Sequence, residues 1–171
     1  MDGMFPKSEN LTDIQRAAMF YYIQRLCFGG RVRGRSFGIE PLRGPRIRFS
    51  RIEEELFHVH KRLRECQIEC LPWQEFMARY DRPEVFFFID PPYYAKPEYR
   101  YNMGLEDFRE LSKCLENVKA RFLLTINDHP AMREVFSPFG MKDVSLKYSV
   151  NRDASTVGKE LIFTNYSPAV P

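Results

Sequence analysis

Val85-Phe86-Phe87-Phe88-Ile89-Asp90-Pro91-Pro92-Tyr93 is the stretch on which the fold turns. Its five apolar residues run without polar alternation, which predicts a strand buried on both faces. At Asp90 the run stops. Two consecutive prolines then fix the backbone dihedrals and remove two N–H donors, so carbonyls are the only main-chain hydrogen-bonding groups left there.

Downstream, Leu105, Phe108, Leu111, Leu115 and Val118 recur with helical spacing and mark an amphipathic helix. Phe122 to Ile126 reads as another buried strand, and a short helix follows Pro130. Val144 to Val150 and Leu161 to Thr164 read as two more strands, joined by the polar loop 151–158. Upstream, Trp73 to Arg79 reads as a short helix and Gln67 to Leu71 as a strand. Strands alternating with helices predict an α/β fold with a parallel sheet, whose late pair suits an antiparallel hairpin. In open α/β sheets ligands bind at the carboxyl ends of strands, which gives Asp90 a privileged place.

Further upstream the character changes. Thr12-Asp13-Ile14-Gln15 and Ser50-Arg51-Ile52-Glu53 match the capping-box pattern that opens helices. The first helix is expected to reach about Cys27. The second carries Ile52, Leu56, Val59 and Leu63 on one stripe and is expected to end near Cys66. Residues 28–49 hold five glycines and two prolines, so they read as loop or hairpin. From Arg25 to Ile52 there are eight arginines and one acid, Glu40, a local charge of +7 in a chain of net charge +3. Such asymmetry points to a polyanionic partner. No lysine lies among the eight, and arginine suits bidentate contacts to phosphate and guanine. A solvated arginine-rich loop is the plainer alternative.

With 171 residues the chain is expected to build one domain with a real core, and 44% hydrophobic with 29% charged residues suits a soluble protein. No run approaches the roughly 18 apolar residues that cross a membrane, and the N-terminus lacks the pattern of a signal peptide. Four cysteines (Cys27, Cys66, Cys70, Cys114) suit a reduced, cytoplasmic setting. His58, His60, Cys66 and Cys70 are types that zinc uses. Histidines two apart on a helix face different sides, however, so no metal is expected.

The Asp90–Tyr93 loop suits methylation of an aromatic amine. The amine lone pair is delocalised into the ring and is a poor nucleophile. Accepting its two N–H hydrogens on Asp90 and on the Pro91 carbonyl would favour the developing sp³ nitrogen. Tyr93 would stack on the base and set its angle, and the base must leave the duplex to reach such a pocket. Pro92 completes the rigid turn. Asn127-Asp128-His129-Pro130 follows a strand end and either lines the pocket or starts a helix. His129 is not expected to act as a base, because the amine need not lose a proton before attack. Trp73 reads as core, and Arg152 as a phosphate contact or part of a solvated turn.

Asp90-Pro91-Pro92-Tyr93 after a buried strand resembles the signature of S-adenosylmethionine-dependent amino-methyltransferases. Ala18 to Arg33, with the downstream Tyr94 to Tyr99 and Lys159 to Tyr166, narrows the resemblance to the DNA adenine methylase family, over residues 11–166. The resemblance implies the C-terminal portion of a Rossmann-like fold, with a target-recognition insert at 11–66, a catalytic half-domain at 67–166, and tails at 1–10 and 167–171. It implies transfer of a methyl group from S-adenosylmethionine to N6 of a flipped adenine in double-stranded DNA, within a bacterial or phage-encoded system. Asp90 would also face the cofactor. Phe28 lies where the family inserts an aromatic into the duplex, and Arg33 where it reads guanine. Arg31, Arg35, Arg43, Arg46 and Arg48 would complete the DNA contacts, whereas Gly29 replaces the family's Asn.

The family's Lys-containing start and Gly-rich cofactor loop have no counterpart in the sequence, and Phe28-Gly29-Gly30 follows a helix and is no substitute. A fragment, a split enzyme and a decayed gene product remain open, with pairing to a missing segment, a second chain or a second copy expected at a bare sheet edge. The alternatives are a DNA-binding remnant without activity and an amino-methyltransferase acting on RNA or on protein glutamine.

Overall fold

The computed structural model describes residues 11–27, 47–96, 101–147 and 157–167. The chain divides into two compact units, residues 1–69 and 70–171. Length alone predicts one domain. The two units are unequal, because nearly all of the buried hydrophobics belong to the second.

In the first unit, helix α1 spans Asp13–Leu26 and helix α2 Ile52–Leu63, the latter preceded by a single 3₁₀ turn, Phe49–Arg51. The capping box at Thr12 forms as the sequence predicts, with Gln15 N donating to Thr12 Oγ1 and Thr12 N to Gln15 Oε1. The box expected at Ser50 does not form. The 3₁₀ turn takes up Ser50, and Arg51 stands at the helix start without a side-chain cap. Helix α2 also ends earlier than expected, at Leu63, where Cys66 N closes a turn onto the Leu63 carbonyl. Its stripe is real but bare, since Leu56, Val59 and Leu63 are all exposed. Tyr21 Oη donates to Glu55 Oε2 at 3.1 Å, and Arg25 pairs with the same oxygen, joining α1 to α2. The loop reading of 28–46 lies outside the described residues.

In the second unit the elements run α3 (Trp73–Tyr80), β1 (Phe86–Ile89), α4 (Leu105–Leu115), β2 (Arg121–Asn127), α5 (Pro130–Val135), β3 (Gly140–Lys147) and β4 (Val157–Thr164). The strand expected at Gln67–Leu71 is absent; those residues are irregular and Ile68 is exposed. Strand β3 begins four residues before its expected start at Val144. The four strands form one mixed sheet in the order β1-β2-β4-β3. Strands β1 and β2 are parallel, as a β-α-β unit requires, and β4 runs antiparallel to both neighbours. The late pair is therefore the antiparallel hairpin that the sequence allows, with β4 inserted beside β2.

The register places Phe87, Ile89, Phe122, Leu124, Ile126, Leu161 and Phe163 on one face. Phe108, Leu111 and Leu115 of α4, Met132 and Phe136 beside them, and Met77 of α3 close over that face. Most of these side chains are wholly buried, and each contributes about 1.5–3 kcal/mol of transfer free energy. The expectation of a strand buried on both faces fails here: Phe87 is 5% exposed, but Phe86 and Phe88 are 50% and 67% exposed. The helices of this unit that join the core cluster lie on the Phe87 side, so the alternate residues of β1 remain in contact with solvent.

Two polar side chains fix the entrance to β2. Asp81 Oδ1 accepts from Lys119 N and Ala120 N, at 2.8 and 2.9 Å. Asn165 Oδ1 accepts from Phe122 N, while its Nδ2 donates to the Ala120 carbonyl. With those ends held, the β1–β2 register brings Ile89 level with Leu124, and Asp90 emerges beside Thr125. No helix among the described residues is long and apolar enough to cross a membrane.

Candidate active site

Asp90 leaves the carboxyl end of β1 and is exposed; Pro91, Pro92, Tyr93 and Tyr94 after it are half-buried. Thr125 Oγ1 donates to Asp90 Oδ1 at 2.9 Å, and among the described residues no hydrogen bond ends on the second carboxylate oxygen. Among the described residues no hydrogen bond ends on the Pro91 carbonyl. Tyr93 Oη donates to Glu160 Oε1 at 2.8 Å. Lys96 N closes a turn onto the Tyr93 carbonyl, with Ala95 at φ 57, a left-handed conformation that side chains other than glycine seldom take. The loop thus sits in a tight turn whose side chains are held from the neighbouring strands.

Tyr94 is the loop's hydrophobic anchor. Its ring meets Phe108 and His129 edge-on, at centroid distances of 5.9 and 4.9 Å. Its carbonyl accepts from Asn127 Nδ2 at 3.2 Å, while Asn127 Oδ1 is enclosed without a partner among the described residues. The Asn127–Pro130 segment therefore starts a helix, as its sequence allows, and braces the loop without lining the cavity beside it. Asn127 supports the loop, and His129 starts α5, its Nδ1 accepting from Ala131 N at 3.1 Å. Asp128 turns aside to Arg133, accepting at 2.7 and 3.0 Å. The Arg133 guanidinium, by hydrogen bonding, holds the Asp128 carboxyl below the usual carboxylate range.

A cavity of about 300 Å³ lies against the loop, lined among others by Trp73, Phe76, Phe88, Asp90, Pro92 and Met103. Trp73, expected as core, both packs on the core and walls this cavity. Apolar walls with one carboxylate suit a ligand that has a flat heterocycle and a cationic centre. Among the described residues no group of three or more His, Cys, Asp or Glu is placed to hold a metal.

Of the residues singled out for DNA, only Arg48 is described, exposed just before the 3₁₀ turn. Phe28, Arg31, Arg33, Arg35, Arg43 and Arg46 lie outside the described residues, as does Arg152. Arg25, counted in the basic run, is committed within the protein to Glu55 and lies over the Tyr21 ring at 5.5 Å. Thr125 and Glu160 escape sequence reasoning as site residues. In the sequence Thr125 marks only a strand, and Glu160 only part of a closing strand.

A family model described as D12 class N6 adenine-specific DNA methyltransferase matches residues 3–150. The Type II methyltransferase M.CviBI of Paramecium bursaria Chlorella virus NC1A is 26% identical over 170 residues, which is 93% of this chain and 62% of that protein. The chain thus spans less than two-thirds of the relative's length.

Proposed function

The chain belongs to the D12 class of N6 adenine-specific DNA methyltransferases, which implies a Rossmann-like fold, and from that membership we propose that it methylates N6 of adenine in duplex DNA with S-adenosylmethionine as donor. The observation that carries the reading is the loop itself: a carboxylate, a rigid carbonyl and an aromatic ring at the end of β1, the carboxylate held by Thr125 and the ring by Glu160 from the strands beside it.

The residues around the cavity fit the donor in chemical character. Trp73, Phe76 and Phe88 offer apolar walls for its adenosyl ring, and Asp90 offers a carboxylate for its cationic part. When bound, S-adenosylmethionine supplies an electrophilic methyl group. The chain's own residues do the rest. Tyr93 stacks on the flipped base and sets the angle of its amine. Thr125 occupies Asp90 Oδ1, so Oδ2 accepts one N–H of the amine and the Pro91 carbonyl accepts the other. Two acceptors on one nitrogen favour its pyramidal, nucleophilic form, and preorganised groups of this kind supply much of an enzyme's rate. Once nitrogen holds the methyl group it must shed a proton, and Asp90 is the acceptor already bonded to it.

The first unit is assigned to DNA recognition, resting on the arginines between Arg25 and Ile52, with Arg33 as reader of guanine and Phe28 as the inserted aromatic. A role as the modification half of a restriction system, in the cytoplasm of a bacterial or phage-infected cell, belongs to the same proposal, and the relative's designation as a Type II methyltransferase supports its first part. Strand β1 is the outer strand of the described sheet with Phe86 and Phe88 exposed beside it, so a further strand, from a longer protein or a second copy, would pair there.

A second reading, DNA binding without transfer, draws on two observations: the cavity is small, and Phe88 in its wall is 67% exposed. Incubation with unmethylated duplex DNA and millimolar S-adenosylmethionine carrying a labelled methyl group separates the two. N6-methyladenine in the digested product is the expected result. Label on cytosine, on RNA or on protein, or none at all, would overturn the proposal.

A further inference from the structure

We propose that Glu160 is a positioning residue for methyl transfer: from β4 it holds the hydroxyl of Tyr93 and so presets the ring on which the flipped base stacks. The role rests on the reaction proposed above; the anchor itself rests on geometry alone.

Tyr93 Oη and Glu160 Oε1 lie 2.8 Å apart although 67 residues separate them in sequence. The β2–β4 ladder pairs Asn127 with Glu160, so both stand on one rung at the carboxyl end of β2. From that rung Asn127 holds the Tyr94 carbonyl and Glu160 holds the Tyr93 hydroxyl. One rung therefore fixes the backbone and the ring of consecutive loop residues.

The physical need for such an anchor is plain. A tyrosine on a loop has two free side-chain torsions, and stacking fixes the base only if the plane of the ring is fixed first. Holding the hydroxyl sets χ1 through the ring's far end, and because a phenolic O–H prefers to lie in the ring plane, the direction of its bond to a fixed acceptor biases χ2 as well. A phenol donating to a carboxylate makes a charge-assisted bond, stronger than a neutral one. A strand is a firmer support than a loop, and reaction geometry tolerates little error. Tyrosine, and not phenylalanine, at position 93 acquires a reason: the face serves the base and the hydroxyl serves as a handle. Glu160 touches no reacting atom and acts only through Tyr93.

Two measurements on the full chain test this. The first is aromatic NMR with ring-labelled tyrosine, the Tyr93 signals being identified by their loss in Tyr93→Phe. Glu160→Ala should shift or average those signals, while Glu160→Gln, which keeps an acceptor oxygen, should leave them near their original positions. Tyr93 signals untouched by Glu160→Ala would overturn the anchor.

The second is single-turnover methyl transfer with protein in excess and millimolar S-adenosylmethionine. Glu160→Ala should lower the rate about 10–100-fold, the range set by misplacement of a reacting group, with DNA affinity changed less than about threefold. Tyr93→Phe should match it, the double variant should be no worse than either single one, and Glu160→Gln should stay within about threefold of the unaltered protein. A merely structural role would predict additive losses and no rescue by Gln. Asp90→Ala is the reference. If it abolishes transfer while Glu160→Ala runs at full rate, the positioning role alone is wrong. If Asp90→Ala runs at full rate, or the unaltered protein transfers nothing, the proposed reaction falls and the role falls with it.

Discussion

Thr125 Oγ1 donates to Asp90 Oδ1 at 2.9 Å across the β1–β2 pair, so one oxygen of the carboxylate is committed to the fold, while the proposed reaction needs only the other. The carboxylate is thereby oriented before any base arrives. Asp90→Ala should lower methyl transfer by about 10²–10³, the usual cost of removing one preorganised hydrogen-bonding group at a reacting centre, while DNA affinity stays unchanged. Thr125→Val keeps the shape and removes the donor, and should cost about tenfold, within the net worth of one hydrogen bond. Single-turnover rates with gel-shift affinities measured alongside check both, and near-normal turnover by Asp90→Ala would remove Asp90 from the mechanism.

How much of this was legible differs from element to element for physical reasons. The Asp90–Tyr93 loop could be read because its chemistry is local: two prolines and a carboxylate act through adjacent bonds. Helix α4 and strand β2 could be read because their apolar spacing matches the face that is buried. The strand expected at Gln67–Leu71 failed because strand propensity counts for little without a partner to pair with. Phe86 and Phe88 failed differently. An apolar run announces a strand, but which faces find a cover depends on the placement of helices elsewhere. Thr125 and Glu160 were beyond reach as site residues, since Thr125 meets Asp90 only through the β1–β2 register and Glu160 meets Tyr93 only because β4 enters the sheet beside β2. A pairing of that kind is set by topology and leaves no mark at any single position.

The arginine run has a consequence for binding that salt can read. Each phosphate neutralised releases counterions, so the slope of log K against log salt changes by about 0.9 per contact. Replacing Arg31, Arg43, Arg46 and Arg48 together by Ala should flatten that slope. Arg25→Ala should leave it nearly unchanged, because Arg25 is already paired with Glu55. Arg33→Ala should instead narrow the gap between cognate and non-cognate DNA by about 1–3 kcal/mol, as loss of a bidentate guanine contact would. An unchanged slope in the fourfold variant would take this segment out of the interface, and equal losses on all sequences would make Arg33 a phosphate contact.

Arg133 joins the start of α5 to β3 by pairing with Asp128 and with Asp143. The Asp128 arm matters more, because that side chain is 22% exposed against 65% for Asp143. Asp128 has its pKa lowered in the folded state, so its contribution is fully present above the ordinary carboxylate range and is lost as pH falls through the folded value. Arg133→Met should therefore lower Tm by a few degrees at pH 7. The difference should shrink towards zero as pH drops well below the ordinary carboxylate value of 3.8. Thermal melts of both proteins across that range check it; a gap that stays constant into acid would show that Arg133 acts through packing.

The cavity beside Asp90 sets a limit on cofactor affinity. Its volume of about 300 Å³ lies at the bottom of the range for small-molecule sites, which commonly bury 70–90% of a ligand's surface. Phe88 in its wall is largely exposed, so a ligand resting there would keep much of its own surface in water. Apolar contact on one side and a single carboxylate cannot offset the entropy lost on binding a flexible molecule as tightly as an enclosed site would. S-adenosylmethionine should therefore bind this chain weakly, and transfer at micromolar cofactor should be negligible. Isothermal titration decides the point, with Asp90→Ala as a control for heat arising at this site. A dissociation constant in the low micromolar range, abolished by Asp90→Ala, would mean that the cavity closes around the donor on binding.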